Sequence, residues 1–322
     1  MKQALDRKVI FADLSLFFVA AFWGSNFVIM KLALEEIAPF TYLGIRFTLA
    51  FLIMALLLWR RISRAKVGDI LAGCLIGLFL FAGFAFQTVG LLYTTPANSG
   101  FITGMAVVIV PFLYYLVTKR SPGWAAFTGA LLAAGGLYLL SANPAAGFNL
   151  GDLLTLVSAF LFAAHIIAIG VHVVKRDPVI LAVVQIAFTG LASVAVAFLF
   201  EPAEAMFNHH PLVWVAIIYA VVFCTIGAFM TQTIAQRYTP PTHAVLILSL
   251  EAVFAGLFSY LFFDERFTPA KLSGALLIFA GILLTELRPV LAARLAARRA
   301  APVEEIMLSE TSAEGKEAPG VE

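Results

Sequence analysis

The stretch Gln87-Thr88-Val89-Gly90-Leu91-Leu92-Tyr93-Thr94-Thr95-Pro96 returns 145 positions later as Gln232-Thr233-Ile234-Ala235-Gln236-Arg237-Tyr238-Thr239-Pro240-Pro241. The same offset, without a gap, joins Ile102 to Ile247 and Tyr115 to Tyr260. It also joins Gly129-Ala130-Leu131-Leu132 to Gly274-Ala275-Leu276-Leu277, and Gly136 to Gly281. Nearer the N-terminus the match is weaker. Asp13-Leu14 aligns with Asp152-Leu153 at an offset of 139, which makes His165 the approximate mate of Asn26. The chain therefore contains two copies of one multi-helix unit.

The surroundings of the repeat say where it lies. Of 322 residues, 62% are hydrophobic and 12% charged, with a mean hydropathy of +0.97. A soluble domain carries about twice that charged fraction. Lipid must therefore solvate most of the chain. A spanning helix needs about 20 mostly apolar residues. Runs of that size fall at 13–33, 38–59, 69–92, 96–117, 123–141, 151–171, 178–200, 211–233, 241–262 and 267–286. Pro39, Pro96, Pro122, Pro178, Pro211 and Pro241 stand near their starts, where a missing N–H costs nothing. The first run is too long for a signal-peptide core and has no small-residue cleavage site, so it reads as a retained helix. Cys74 and Cys224 lie inside apolar runs and read as buried thiols, not as a disulfide or a metal site.

Charge placement gives an orientation. With the N-terminus in the cytoplasm, 17 of the 21 basic residues fall on cytoplasmic segments. They include Arg60, Arg61, Arg64, Lys66, Lys119, Arg120, Lys175, Arg176 and Arg237. The opposite loops keep only Arg266 and Lys271, beside Glu35, Glu36, Glu201, Glu204, Asp264 and Glu265. This positive-inside pattern puts both termini in the cytoplasm of a bacterial inner membrane. Ten spans in two copies make five per copy, and an odd number inverts the second copy. The expected organisation is a cytoplasmic N-terminus at 1–12, repeats at 13–141 and 142–286, and a cytoplasmic segment at 287–322. In that segment residues 287–300 read as a basic surface helix and 301–322 as a disordered tail. The fold class is an all-α integral membrane protein of ten transmembrane helices in two inverted five-helix repeats.

Certain residues carry a family resemblance. Trp23-Gly24-Ser25-Asn26-Phe27 followed by Lys31, and Pro39 followed by Arg46, resemble the first two helices of EamA-type carriers of the drug/metabolite transporter superfamily. So do Ala235-Gln236-Arg237-Tyr238-Thr239, Ser249-Leu250-Glu251 and Asp264-Glu265-Arg266-Phe267-Thr268-Pro269 for helices 9 and 10. The resemblance runs to about Leu287. It implies ten helices, a central cavity, and transport of small organic metabolites, with efflux of amino acids or similar amphipathic solutes as the expectation. The pattern departs at Ala252, where the resemblance implies a proline, so helix 9 is expected to be straighter here.

Single residues divide between functional and packing readings. Glu251 sits about eleven residues inside helix 9. A charge at that depth costs at least ~2.5 kcal/mol, so it must face protein or water. It reads as a substrate contact, a proton-coupling group, half of a structural ion pair, or a hydrogen-bonded helix contact. Arg46 lies roughly 12 Å into helix 2 at 1.5 Å per residue. It could pair with Glu251 in an outer gate or cavity wall, snorkel outward, or bind backbone carbonyls. The mates Gln87 and Gln232 read as helix–helix hydrogen bonds or as matched cavity groups. Tyr93 and Tyr238 are gate candidates at opposite interfaces, or belt anchors. Trp23, Asn26 and His165 are further substrate or coupling candidates, His165 because imidazole titrates near neutrality. Asn98 and its mate His243, which open helices 4 and 9, complete the substrate or coupling candidates. Lys31 is expected to reach Glu35 at i,i+4. His209 and His210 are too few for a metal site and read as solvated. Gly73–Gly77 and Gly100–Gly104 are small-xxx-small pairs for close packing. Some of Phe79, Phe81, Phe84 and Phe86 are expected to line an apolar cavity.

No phosphate loop, HExxH or GxSxG run is present, and no cofactor is expected. Three classes stand: a secondary carrier whose repeats rock about a midplane site, a membrane-embedded lipid-modifying enzyme, and a channel. The carrier leads, because the enzyme would need an acid or histidine cluster at one interface. The expected partners are a small-molecule solute and the bilayer, with proton coupling as a candidate and no nucleic acid.

Overall fold

The computed structural model describes residues 2–141, 149–202, 210–263, 269–270 and 272–284. Expectations for Glu204, His209, Asp264, Glu265, Arg266, Lys271, the 287–300 helix and the 301–322 tail lie outside the described residues. The described chain is helical. Helices α1 (Lys2–Ala33), α2 (Pro39–Ile62) and α3 (Val67–Tyr93) lead into α4, which is made of Pro96–Gly104 and Ala106–Thr118. Then come α5 (Trp124–Ser141), α6 (Leu150–Val173) and α7 (Pro178–Phe200). Helix α8 joins Pro211–Tyr219, a π-helical turn at Ala220–Gly227, and Ala228–Ala235. Helix α9 joins Pro241–Leu248 and Leu250–Phe263, and α10 is Leu272–Leu284. Eight of these are long and apolar enough to cross a bilayer, whereas α5 and α10 are shorter apolar helices.

Local chemistry sets the ends. Proline opens α2, α4, α7, α8 and α9. Asn149 and Asp152 cap the start of α6 reciprocally, and Lys119 ends α4 at φ 56°. The start of α2 borrows its cap from the other repeat. The backbone N–H groups of Phe40 and Thr41 and the Thr41 hydroxyl all donate to the Glu201 carboxylate, at 2.7–2.8 Å. Negative charge at a helix N-terminus also suits the helix dipole.

Hydrogen bonds define two ends of the bundle. At the near end, where α1 starts, Arg61 pairs with Asp177 and Arg176 with Asp69, joining the α2–α3 and α6–α7 connections. Thr239 donates to Asp13 there, at 2.8 Å. At the far end Thr94 donates to Asp152, at 2.6 Å. Thr94 and Thr239 are mates at offset 145, and Asp13 and Asp152 at offset 139. Each repeat thus clasps the other through the same pair of residues, at opposite ends. That reciprocity is what inversion requires. The change of offset by six residues falls between α7 and α8, whose connection is longer than its α2–α3 counterpart by that number.

The helices do not form two separate bundles. Helix α3 packs mainly on α6 and α7, α2 on α7, and α1 on α9, so the densest contacts all run between repeats. Two glycine pairs tighten this seam symmetrically. A Cβ on Gly136 would strike the Gly274 carbonyl, and one on Gly281 would strike the Gly129 carbonyl. Gly73 and Gly77 pack against Val184 and Phe188 of α7, in keeping with the small-xxx-small reading. The outer surface is apolar, with Phe11, Leu56, Leu57, Phe198, Leu199 and Phe200 exposed, as for a body solvated by lipid.

Helix α9 does not run on as one regular helix despite Ala252. It breaks at Ser249, whose hydroxyl donates to the Leu246 carbonyl at 2.6 Å, and α4 breaks at the adjacent equivalent position, Met105. Back-bonding of a serine bends a helix without proline.

Candidate functional site

The interlocked helices leave a cavity between the repeats, with about 670 Å³ of empty space including its open mouth. Its wall is built from mates. From the first repeat come Trp23, Asn26, Phe27, Phe84, Gln87, Thr103, Gly104 and Ala106. Their equivalents Phe162, His165, Ile166, Phe229, Gln232, Leu248, Ser249 and Glu251 line it from the second. Among the described residues, only Met30, Arg46 and Val245 stand on the wall without their mates. The breaks in α4 and α9 fall where those helices meet the cavity, beside the wall residues Thr103, Gly104 and Ala106 of α4 and Leu248, Ser249 and Glu251 of α9.

Arg46 is fully buried yet reaches the wall. Its Nε donates to Thr225 Oγ1 at 2.7 Å and its Nη2 to the Cys224 carbonyl at 3.1 Å. The guanidinium lies 5.1 Å from the Phe47 and Phe84 ring centres. Nη1 has no partner among the described residues. The π-helical turn of α8 makes this seat. Its wider winding presents the Cys224 carbonyl, which also accepts from Trp23 Nε1 at 3.1 Å. Arg46 therefore does not pair with Glu251, because α8 holds it. Glu251 is buried on the wall and has no ion-pair or hydrogen-bond partner among the described residues.

His165 is both a packed and a wall residue. Gln185 donates its Nε2 to Thr233 at 3.0 Å, so its Oε1 accepts from His165 Nε2 at 2.7 Å. That assigns the imidazole proton to Nε2. Gln87 donates to Thr103 at 2.9 Å, a helix–helix bond. Gln232 is fully buried, and neither its oxygen nor its nitrogen has a partner among the described residues. Asn26 Oδ1 is also without one. Aromatic rings close the space: Trp23 and Phe229 stand 5.1 Å apart, Phe84 and Phe162 5.2 Å.

Seven sequence candidates thus share one cavity: Trp23, Asn26, Arg46, Gln87, His165, Gln232 and Glu251. The other four lie off its wall. Tyr93 and Tyr238 stand exposed at opposite ends, Tyr238 beneath Lys8 with Nζ 5.7 Å from the ring centre. Asn98 and His243 sit at the starts of α4 and α9. Lys31 does not reach Glu35. Its amine donates to the carbonyls of Leu91 at 2.6 Å and Thr94 at 3.2 Å, capping the end of α3. Sequence reasoning missed Thr103, Phe162 and Phe229, although Phe229 is the mate of Phe84 and the offset alone would have named it.

Known proteins resemble this chain along most of its length. A transporter of Archaeoglobus fulgidus, described only as uncharacterized, is 38% identical over 285 residues, covering 87% of each chain. YetK of Bacillus subtilis, also described as an uncharacterized transporter, is 24% identical over 88% of this chain and 89% of its own. A solved crystal structure superposes with a TM-score of 0.70 at 20% identity, over 88% of this chain and 98% of that one, which speaks for the fold alone. The family model for EamA-like transporters matches twice, at residues 10–142 and 149–287. The two matches begin 139 residues apart and end 145 apart, the same two offsets that relate the cavity walls. The chain belongs to the EamA-like transporter family, within the drug/metabolite transporter superfamily.

Proposed function

We propose that this chain is a secondary carrier. It binds a small organic solute in the cavity between its repeats and exposes it to one side of the membrane at a time. The supporting observation is the wall itself, which is built from equivalent residues of two inverted repeats and lies where both reach equally. Inversion lets one sequence pattern open the near end in one copy and the far end in the other. Within this reading the chain has ten spans with both termini in the cytoplasm of a bacterial inner membrane, and it exports its solute. Arg46 Nη1 and Glu251 offer one positive and one negative group to an amphipathic, amino-acid-like solute, and the aromatic rings take its apolar part. Glu251 and His165 are the proton-coupling candidates. Uphill export then draws on an ion or solute gradient.

The test is metabolite profiling of the medium of cells overexpressing the chain, followed by flux of the accumulated solute in proteoliposomes. A carrier saturates and shows counter-exchange, and Glu251→Gln is expected to abolish export while the folded protein remains. Flux that never saturates would favour a channel. Lipid turnover without flux would favour an enzyme.

A further inference from the structure

The mates Gln87 and Gln232 have unequal surroundings. Thr103 accepts the Gln87 amide, and the residue equivalent to Thr103 is Leu248. Gln232 therefore lacks the hydroxyl that the equivalent position gives Gln87. The side chain is fully buried, stands on the cavity wall, and leaves both amide atoms unpartnered among the described residues. A buried donor and acceptor left empty destabilise the fold. Such a cost persists where a ligand repays it.

The geometry of an amide restricts what can do so. Oxygen and nitrogen lie in one plane, a donor beside an acceptor. A carboxylate meets only the nitrogen, and an ammonium only the oxygen. A group with N–H and C=O side by side meets both. The nearby wall is aromatic, with Trp23, Phe84 and Phe229 contributing rings, and Asn26 Oδ1 offers a further acceptor. We infer that Gln232 reads an amide edge, a primary carboxamide or a ring lactam, carried by a flat apolar body in the cavity. This deepens the carrier reading and rests on it.

Benzamide, benzoate and benzylamine present an amide, an anion and a cation on the same ring. The purified full chain is titrated with each, following the thermal midpoint and tryptophan fluorescence. Benzamide is expected to raise the midpoint, with the other two at least about tenfold weaker, a gap of about 1.4 kcal/mol. Gln232→Met is expected to remove that preference. Leu248→Thr restores the partner that Gln87 has, so it is expected to weaken benzamide about tenfold while the ligand-free midpoint rises. Equal binding of all three probes, no binding of any, or a preference that survives Gln232→Met overturns the inference. If Leu248→Thr lowers the ligand-free midpoint, Gln232→Met alone decides. Saturable solute flux that persists alongside such a result would leave the carrier reading intact.

Discussion

At the scale of single residues, the cations Arg46 and Lys31 are held by carbonyls and not by opposite charges. Arg46 leans on the Cys224 carbonyl and Lys31 on the end of α3. Lys31→Met would leave those α3 carbonyls uncapped. It is expected to cost ~1.5–3 kcal/mol, the range for hydrogen bonds to a charged group, read as a lower unfolding midpoint in detergent. Sequence placed Arg46 and Glu251 at similar depth and so suggested a pair. It could not show the π-helical turn, because one extra residue in a winding leaves no mark on an apolar run. Gln232 was legible as the mate of Gln87, and its missing partner was readable from Leu248 opposite Thr103, provided the contact itself was known.

Among the elements, close approach and caps carry the information. Gly24 of α1 meets α9 so tightly that a Cβ would lie 2.5 Å from Phe254 Cβ and 2.6 Å from the Glu251 carbonyl. Backbone cannot yield there as a side-chain tip would. Gly24→Ala is expected to destabilise by about 1–3 kcal/mol and to disturb the wall at Glu251, checked by unfolding and by solute flux. At the near end, partial burial pushes the Asp177 carboxyl up. Hydrogen bonds from Arg61 and the Val179 N–H, with the Arg61 charge, more than offset this, and the group titrates below its usual 3.8. A depressed carboxylate stabilises the fold above its unfolded value and loses that contribution as pH falls through the folded one. Asp177→Asn is therefore expected to lower the midpoint slightly at pH 7 and to converge with the unaltered chain well below pH 3.8, measured by thermal unfolding across acid pH. The break in α9 shows the limit of motif reading. The missing proline at Ala252 pointed to a straighter helix, whereas the regular winding is still interrupted at Ser249, whose hydroxyl bonds back to Leu246.

For the whole molecule, the repeat offset announced duplication and charge placement suggested inversion, yet neither told how the copies pack. Periodicity marks which face of a helix is apolar, not which partner covers it, and in lipid both faces are apolar. The interlocked packing changes the expected motion. On the carrier reading, five-helix halves that share their main contacts are not expected to rock as separate bodies, and bending at the Met105 and Ser249 breaks and at the π-helical turn of α8 is the expected route to opening. On that reading the two Thr–Asp clasps mark the ends expected to part. Thr94→Cys with Asp152→Cys would pin the far end, and Asp13→Cys with Thr239→Cys the near end. Either disulfide is expected to stop solute flux, and reduction to restore it. Flux that continues with a formed disulfide would remove that end from the cycle.

The shared packing also bears on how the protein is made. As the ribosome releases α1 to α5, the surfaces that will hold α6, α7 and α9 have nothing to meet, because their partners are still unwritten. The first half should wait in the bilayer as loosely associated segments, open to quality-control proteases, until the second arrives. Expressed from two genes cut between Ser141 and Asn149, neither fragment should accumulate by itself, and the two together should rescue each other.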